Sequence, residues 1–120
     1  DEKTPDHASI LVENQIRDKE GERILKLIKD DAYVITLEIG GTMLDSVEFA
    51  EKIESLGILG KSHICFIIGG SLGLGDAVCR RSDYAVSFSR MTFPHQLMRV
   101  ILLEQIYRGY RIISHEPYHK

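Results

Sequence analysis

His95 follows a short loop at residues 89–91, in a strand-to-helix connection of the kind at which α/β proteins bind ligands. Residues 84–88 (YAVSF) predict an apolar strand, and residues 89–91 form the loop after it. Thr92 is then expected to be the N-cap of a helix that begins near Pro94, with His95 in its first turn. A helix N-terminus offers free backbone N–H groups and a favourable dipole. The pattern indicates either a ligand site or an ordinary strand–loop–helix connection.

The glycine-rich segment 69–75 (GGSLGLG) could hold a second reactive group. It has neither the spacing of a dinucleotide-binding loop nor that of a P-loop. It matches G-x-S-x-G around Ser71, after an apolar strand and before a helix, as a nucleophile elbow would. Asp83 and His95 follow in the order found in α/β-hydrolases. Serine hydrolysis stays a weaker alternative, because that fold needs a larger sheet than 120 residues can supply.

The two cysteines do not have the spacing of a metal site or a redox pair. Cys65 lies in an apolar segment and Cys79 in a short helical one. We expect both to be buried free thiols of a reducing compartment. Because the chain shows neither an export leader nor an apolar run of membrane-spanning length, we expect a cytoplasmic protein without a membrane or metal partner.

Charge is distributed unevenly along the chain. Residues 1–79 hold 8 Lys and Arg against 15 Asp and Glu, whereas residues 80–120 hold 7 against 3. Six of the seven cations in the second half are arginines, which suit phosphate contacts and base stacking. The basic half is therefore either a nucleic-acid surface or simply a solvated face.

Strand and helix patterns alternate along the chain and predict an α/β fold. The expected helices span 10–28, 45–56, 76–81 and 94–113, the expected strands span 32–39, 63–68 and 84–88, and residues 1–8 are expected to be irregular. Gly40 and Gly41 are expected to follow the first strand, and Gly57 and Gly60 to bracket a turn. Such alternation favours a parallel sheet between helices, with the ligand crevice at the carboxyl ends of the strands.

The last predicted helix is apolar around most of its circumference, with Leu97, Val100, Leu103, Ile106 and Tyr107 on different sides. A helix of this kind must be buried on more than one side. In so small a domain the second cover is expected to be another copy of the chain, so we predict a homodimer.

Four segments resemble a known family. LEIGG at 37–41, FIIGGSLGL at 66–74, SFSRMTFPHQLMRVILLEQIYR at 87–108 and PYHK at 117–120 are similar to the small bacterial SPOUT-class methyltransferases. The resemblance implies one SPOUT domain over residues 1–120, with a parallel sheet flanked by helices and a C-terminal trefoil knot. Members of that family open with a further strand–helix–strand unit, so the chain is expected to be N-terminally truncated relative to them.

The resemblance also implies an activity. These enzymes use S-adenosylmethionine to methylate N3 of a pseudouridine in 23S ribosomal RNA within the ribosome, at pseudouridine 1915 of helix 69. The cofactor contacts of the family, carried onto the matching positions, fall at Leu37, Gly69, Phe88, Ser89, Arg90, Met91, Thr92 and Phe93.

Methylation at N3 requires loss of the N3 proton, and His95 and His119 are the candidate bases. The residues do not choose between them, because His119 could serve the site of a partner subunit. Arg90, Arg99 and Arg108 are predicted to contact RNA phosphates, and Tyr118 is predicted to stack on a base. A non-catalytic RNA-binding module remains the main alternative to an enzyme.

Overall fold

Four helices and three strands alternate in the structure, a computed structural model that describes residues 10–69 and 73–120. The elements are α1 (Ile10–Leu27), β1 (Tyr33–Met43), α2 (Ser46–Ile58), β2 (Ile64–Ile68), α3 (Asp76–Arg81), β3 (Tyr84–Ser87) and α4 (His95–Ile113). The predicted order of elements is confirmed. The expectation for residues 1–8 lies outside the described residues.

The sheet is parallel, with the strand order β2-β1-β3, so that β1 lies in the centre. Tyr33 pairs with Ile64 and Leu37 with Ile68, while Ile35 pairs with Tyr84 on the other side. The chain moves from β1 to β2 at one edge and then crosses to β3 at the other edge. The carboxyl ends of the strands in such an arrangement leave a crevice at the point where the order reverses.

Two layers of helices cover the sheet, as the α/β prediction requires. On one face, the core of Val34, Ile67 and Val78 packs against side chains from α1. On the other face, Phe49 of α2 and Leu102 of α4 form a core with neighbouring strand residues. No helix of residues 10–69 and 73–120 combines the length and apolar character needed to cross a membrane.

Capping interactions explain where α2 begins. The Asp45 side chain accepts a hydrogen bond from the backbone N–H of Glu48 at 2.8 Å, and the Glu48 carboxylate accepts one from the backbone N–H of Asp45 at 2.9 Å. The spacing of Asp45 and Glu48 in the sequence predicts this capping box, and the structure confirms it. The expected end of this helix was too early, since Gly57 lies inside α2, and the turn uses Gly60 with a φ of 80°.

The start of α4 also differs from the prediction. The N-cap is Pro94 rather than Thr92, and no side chain caps the helix. The first helical hydrogen bond joins the backbone N–H of Met98 to the carbonyl of Pro94 at 3.1 Å. His95 is therefore the first helical residue. The fixed φ of proline orients this turn without a capping side chain.

Strand β1 is longer than predicted because it contains a break in register. Leu37 and Thr42 both align with Val86 of β3, so residues 38–41 do not pair regularly with that strand. The structure needs glycine at position 41, where a Cβ atom would lie 2.8 Å from backbone atoms of Ala85 and Val86. The sequence-based view of Gly40 and Gly41 as a loop after the strand was wrong on this point.

Substitution of Gly41 by alanine is expected to destabilise the protein by about 1–3 kcal/mol, because the added methyl group must displace the backbone of β3. Gly40→Ala is the matched control, since a Cβ atom there meets nothing within 4 Å. Urea denaturation of both variants measures the difference in the free energy of unfolding. Equal stability of the two variants would contradict the close approach of β1 to β3.

Candidate functional site

A cavity of about 890 Å³ lies at the carboxyl ends of all three strands. Its walls are largely apolar and come from β1, β2, β3 and the start of α4. Most of the predicted cofactor residues line it, namely Leu37, Gly69, Phe88, Ser89, Met91, Thr92 and Phe93. Arg90 is exposed and does not belong to the described lining. A concave, mostly apolar site of this size suits a small organic ligand.

The loop between β3 and α4 is ordered by its own polar groups. Ser87 donates its hydroxyl hydrogen to the carbonyl of Ser89 at 3.1 Å, and the backbone N–H of Met91 donates to the hydroxyl of Ser89 at 2.9 Å. Phe88 anchors the loop through an edge-to-face contact with Phe49, with ring centroids 5.5 Å apart. These contacts hold the loop that bounds the cavity.

Gly69 lies where two segments of the backbone approach each other closely beside the cavity. A Cβ atom on Gly69 would lie 3.0 Å from the backbone of Gly73 and 3.2 Å from the side chain of Leu74. The absence of a side chain thus lets β2 and the segment after residue 72 approach each other. Gly69 shapes the wall of the cavity by this close approach.

His95 is held at the cavity by a bond to Gly69. Its Nδ1 atom lies 2.9 Å from the carbonyl oxygen of Gly69, and only the protonated nitrogen can donate to this acceptor. The neutral imidazole therefore carries its free lone pair on Nε2. This arrangement gives the cavity a half-buried base of defined tautomer.

Glu38 contributes a carboxylate that the sequence-based prediction of site residues missed. It lines the cavity within the irregular part of β1 and accepts a hydrogen bond from the buried hydroxyl of Thr36 at 2.6 Å. Thr36 in turn contacts the hydroxyl of Ser82 at 2.8 Å. The only signal in the sequence is an acidic residue in the otherwise apolar and glycine-rich run LEIGG.

Cys79 of α3 closes the same corner of the cavity. Its thiol lies 3.7 Å from Glu38 as a weak donor. Burial raises the pKa of the Cys79 thiol, and the neighbouring charge of Glu38 raises it further. The thiol is therefore neutral near pH 7. Both cysteines are free, as predicted, although each is half-buried rather than fully buried.

The structure does not assemble a hydrolase triad. Asp83 accepts a hydrogen bond from the backbone N–H of Val34 at 2.8 Å, at the amino ends of β1 and β3. His95 lies at the opposite, carboxyl end of the sheet, so the two cannot act together. Ser71 lies outside the described residues. Among residues 10–69 and 73–120, no group of three or more His, Cys, Asp or Glu side chains could hold a metal ion.

The C-terminal tail is attached to α4 by a network around Glu104. This carboxylate accepts hydrogen bonds from Arg108 at 2.9 and 3.2 Å and from the hydroxyl of Tyr118 at 2.8 Å. The Tyr118 ring also lies under the Arg108 guanidinium, at 4.7 Å, and edge-on to Tyr107. Arg108 donates to Nδ1 of His119 at 3.1 Å. The tail thus carries His119 on the surface of the helix.

The predicted RNA-contacting residues fall into two groups. Arg90 and Arg99 are exposed, and neither forms an ion pair among the described residues. Arg108 and Tyr118 are instead engaged with Glu104. The Arg108 side chain that holds His119 reaches back to Glu104, which lies nine residues after His95, or about 14 Å along the axis of α4. Within one chain, His95 and His119 do not share a site.

Docking of the tail is expected to depend on pH at both extremes. Hydrogen bonds from Arg108 and Tyr118 lower the pKa of Glu104. The ionised carboxylate therefore stabilises the docked tail at any pH above the ordinary pKa of a glutamate, and this stabilisation is lost as pH falls through the lowered pKa. The hydrogen bond to Glu104 raises the pKa of Tyr118. The protonated hydroxyl therefore stabilises the docked tail below about pH 10, and this stabilisation is lost as pH rises through the raised pKa.

The Glu104→Gln variant is expected to release the tail even at neutral pH, because a neutral amide binds Arg108 more weakly. Exchange of the backbone amides of Glu116 and Tyr118, which donate to the carbonyls of Arg111 and Glu116, is expected to accelerate several-fold when followed by NMR. Glu51→Gln on the exposed surface of α2 is the control for charge. Unchanged exchange in Glu104→Gln would show that the network does not hold the tail.

Comparison with known proteins places these features in a family. The family described as "Predicted SPOUT methyltransferase" matches residues 3–119. A protein of Bifidobacterium adolescentis, named ribosomal RNA large subunit methyltransferase H, is 65% identical over the whole chain and 76% of its own length. Proteins of the same name from Alkaliphilus oremlandii and Clostridium tetani are 61% and 60% identical, with the same coverage. The chain therefore belongs to the SPOUT methyltransferase family.

Proposed function

We propose that this chain is an S-adenosylmethionine-dependent methyltransferase that acts on N3 of pseudouridine 1915 in 23S ribosomal RNA, within helix 69 of the large ribosomal subunit. The observation that carries the proposal is the preformed cavity at the three strand ends, in a chain of a methyltransferase family. The relatives described above are named as methyltransferases of large-subunit ribosomal RNA. Because its substrate would be a cytoplasmic particle, we expect the protein in the cytoplasm.

The cavity fits S-adenosylmethionine by size and by chemistry. Apolar side chains such as Leu37, Phe88 and Phe93 offer walls for a flat purine ring. Gly69 allows close contact between the end of β2 and residues 73–74, and polar atoms of Ser89 and Thr92 border the same space. Sites for small cofactors combine such apolar walls with a few polar groups that set orientation.

The bound cofactor would supply an activated methyl group on a sulfonium. The residues of the chain would hold the methyl group and N3 in line and exclude water, which are the main requirements of such a transfer. His95 would accept the N3 proton on Nε2, since its Nδ1 is engaged by Gly69. The sequence alone left both histidines open as the base, whereas this geometry favours His95.

His119 is held beside Arg108 and Glu104, away from His95 along α4, so it would serve the cavity of a second copy rather than its own. We propose that this second copy is bound through the exposed face of α4. Val100 and Leu103 are each 62% exposed there, and Leu97, Tyr107 and Tyr110 extend the same apolar stripe. The opposite side of the helix packs on α2. A stripe of this kind on one helix is typical of a subunit interface.

RNA would approach the basic C-terminal half. Arg90 borders the cavity loop and Arg99 lies one turn into α4, so both could contact phosphates near the target base. Arg108 and Tyr118 would take part in RNA binding only if the network with Glu104 rearranges. The trefoil knot implied by the family resemblance also stays a prediction.

The proposed activity has a direct test in two steps. Calorimetry is expected to show binding of S-adenosylhomocysteine to the purified chain, and ribosomes isolated from cells that lack this modification are expected to accept a labelled methyl group. Ribosomes whose 23S RNA carries uridine at position 1915 are the matched substrate control. His95→Ala is expected to lower turnover at least a hundredfold, because general base catalysis contributes about that much.

Three outcomes would contradict parts of the proposal. RNA binding without any affinity for S-adenosylhomocysteine would favour a non-catalytic RNA-binding module. Equal methylation of the uridine control would show that pseudouridine is not the recognised base. Full activity of His95→Ala together with loss of activity in His119→Ala would move the base to the tail.

The proposed dimer predicts a molecular mass twice that of the 13.6 kDa chain in sedimentation at micromolar concentration. Leu103→Glu is expected to give monomers, because it places a charge in the middle of the apolar stripe. Ile58→Glu, at an exposed position of α2, is the matched control and is expected to remain dimeric. A folded wild-type monomer under these conditions would refute the interface.

A further inference from the structure

One group in the cavity has no role in the function proposed so far. Glu38 is the only acidic residue of the described lining, and no described lysine or arginine lines the cavity with it. Its two contacts come from neutral donors, the Thr36 hydroxyl at 2.6 Å and the more distant Cys79 thiol at 3.7 Å. An ionised carboxylate can accept about four hydrogen bonds, so Glu38 can still accept further hydrogen bonds from a ligand.

Glu38 is half-buried, and a carboxylate beside apolar walls attracts a positive charge more strongly than one in bulk water. Most of the surrounding wall is apolar, including Ile39, Leu74 and Phe88. The Thr36 hydroxyl orients the carboxylate but leaves its charge in place. A cationic ligand group is the compensation that the described residues themselves do not supply.

Resting on the function proposed above, we infer that Glu38 recognises the positive charge of the sulfonium and so distinguishes S-adenosylmethionine from its product. The cofactor carries a sulfonium, an ammonium and a carboxylate, with one net positive charge. S-adenosylhomocysteine has lost the sulfonium charge and has no net charge. A fixed carboxylate in a partly apolar cavity therefore favours the reactant over the product.

This role has a consequence for turnover. When the methyl group leaves, the sulfur becomes a neutral thioether, and the attraction to Glu38 disappears at the moment when the product must be released. Glu38 is a specificity-determining residue in this view, since it selects the charged form of the cofactor and takes no part in proton transfer.

The test compares three ligands in calorimetry: S-adenosylmethionine, sinefungin, which carries an amine in place of the sulfonium, and S-adenosylhomocysteine. Glu38→Gln keeps the shape and the bond from Thr36 but removes the charge. It is expected to weaken binding of the two cationic ligands about tenfold and to change that of S-adenosylhomocysteine less than about twofold. Glu51→Gln, exposed on α2, removes the same charge elsewhere and is expected to change none of the three.

Equal weakening of all three ligands, including complete loss, would overturn the inference, because Glu38 would then contact a group that the ligands share. Absence of binding by the wild-type chain would instead refute the cofactor of the proposed function, so the two failures are distinguishable.

A second measurement checks the geometry without a ligand. In a Cys65→Ser background, the rate of alkylation of Cys79 by iodoacetamide reports on its thiol. Removal of the neighbouring charge in Glu38→Gln is expected to shift the alkylation profile to lower pH, because that charge raises the pKa of the Cys79 thiol. An unchanged dependence of the alkylation rate on pH would show that residue 38 is not beside Cys79 and would refute the inference.

Discussion

Parallel pairing of β1 with a strand on each side is the constraint on which the rest of the structure depends. From Tyr33 to Leu37 the central strand forms regular ladders with β2 on one side, and from Ile35 with β3 on the other. The register then breaks, so that Leu37 and Thr42 share one partner in β3. Residues 38–41 leave the regular ladder at the edge where all three strands end.

The cavity follows from that break. Residues 38–41 do not pair regularly with β3. Glu38 and Gly40 instead line the opening, while Gly41 lets the strand return to β3 at a distance that no side chain would permit. His95 reaches across from α4 to the end of β2 and joins two walls of the cavity through one hydrogen bond. The shape of the cavity therefore depends mainly on the path of the backbone at the ends of the strands.

Helix α4 connects the cavity to the rest of the surface. Its first residue is the candidate base, its inner side completes a core with α2, and its outer side presents an apolar stripe. Beyond the middle of the helix, Glu104 holds the tail through Arg108 and Tyr118. One element therefore carries the proposed base, the proposed interface and the attachment of the tail.

The sequence by itself determined the order of elements, the α/β class, the capping box at Asp45 and the strand ends at which the cavity lies. Local patterns carry this information, because apolar periodicity, capping residues and strand ends depend on neighbours within a few positions. The specific motifs at 37–41, 66–74 and 87–108 added the family, which the comparisons confirmed. They also indicated the cofactor residues, most of which line one cavity.

Only the tertiary structure decided which residues meet across the fold. The bulge at 38–41 depends on pairing with β3, some 45 residues later in the chain, so the sequence could not show that Gly41 lies inside a strand or that Glu38 lines the cavity. Gly21, a weak point by helix propensity, is the buried position where α1 approaches Val78 of α3. Likewise, Arg108 and Tyr118 resemble free nucleic-acid contacts in the sequence, but Glu104 binds both. Long-range contacts of this kind depend on the relative placement of distant elements, which no local pattern encodes.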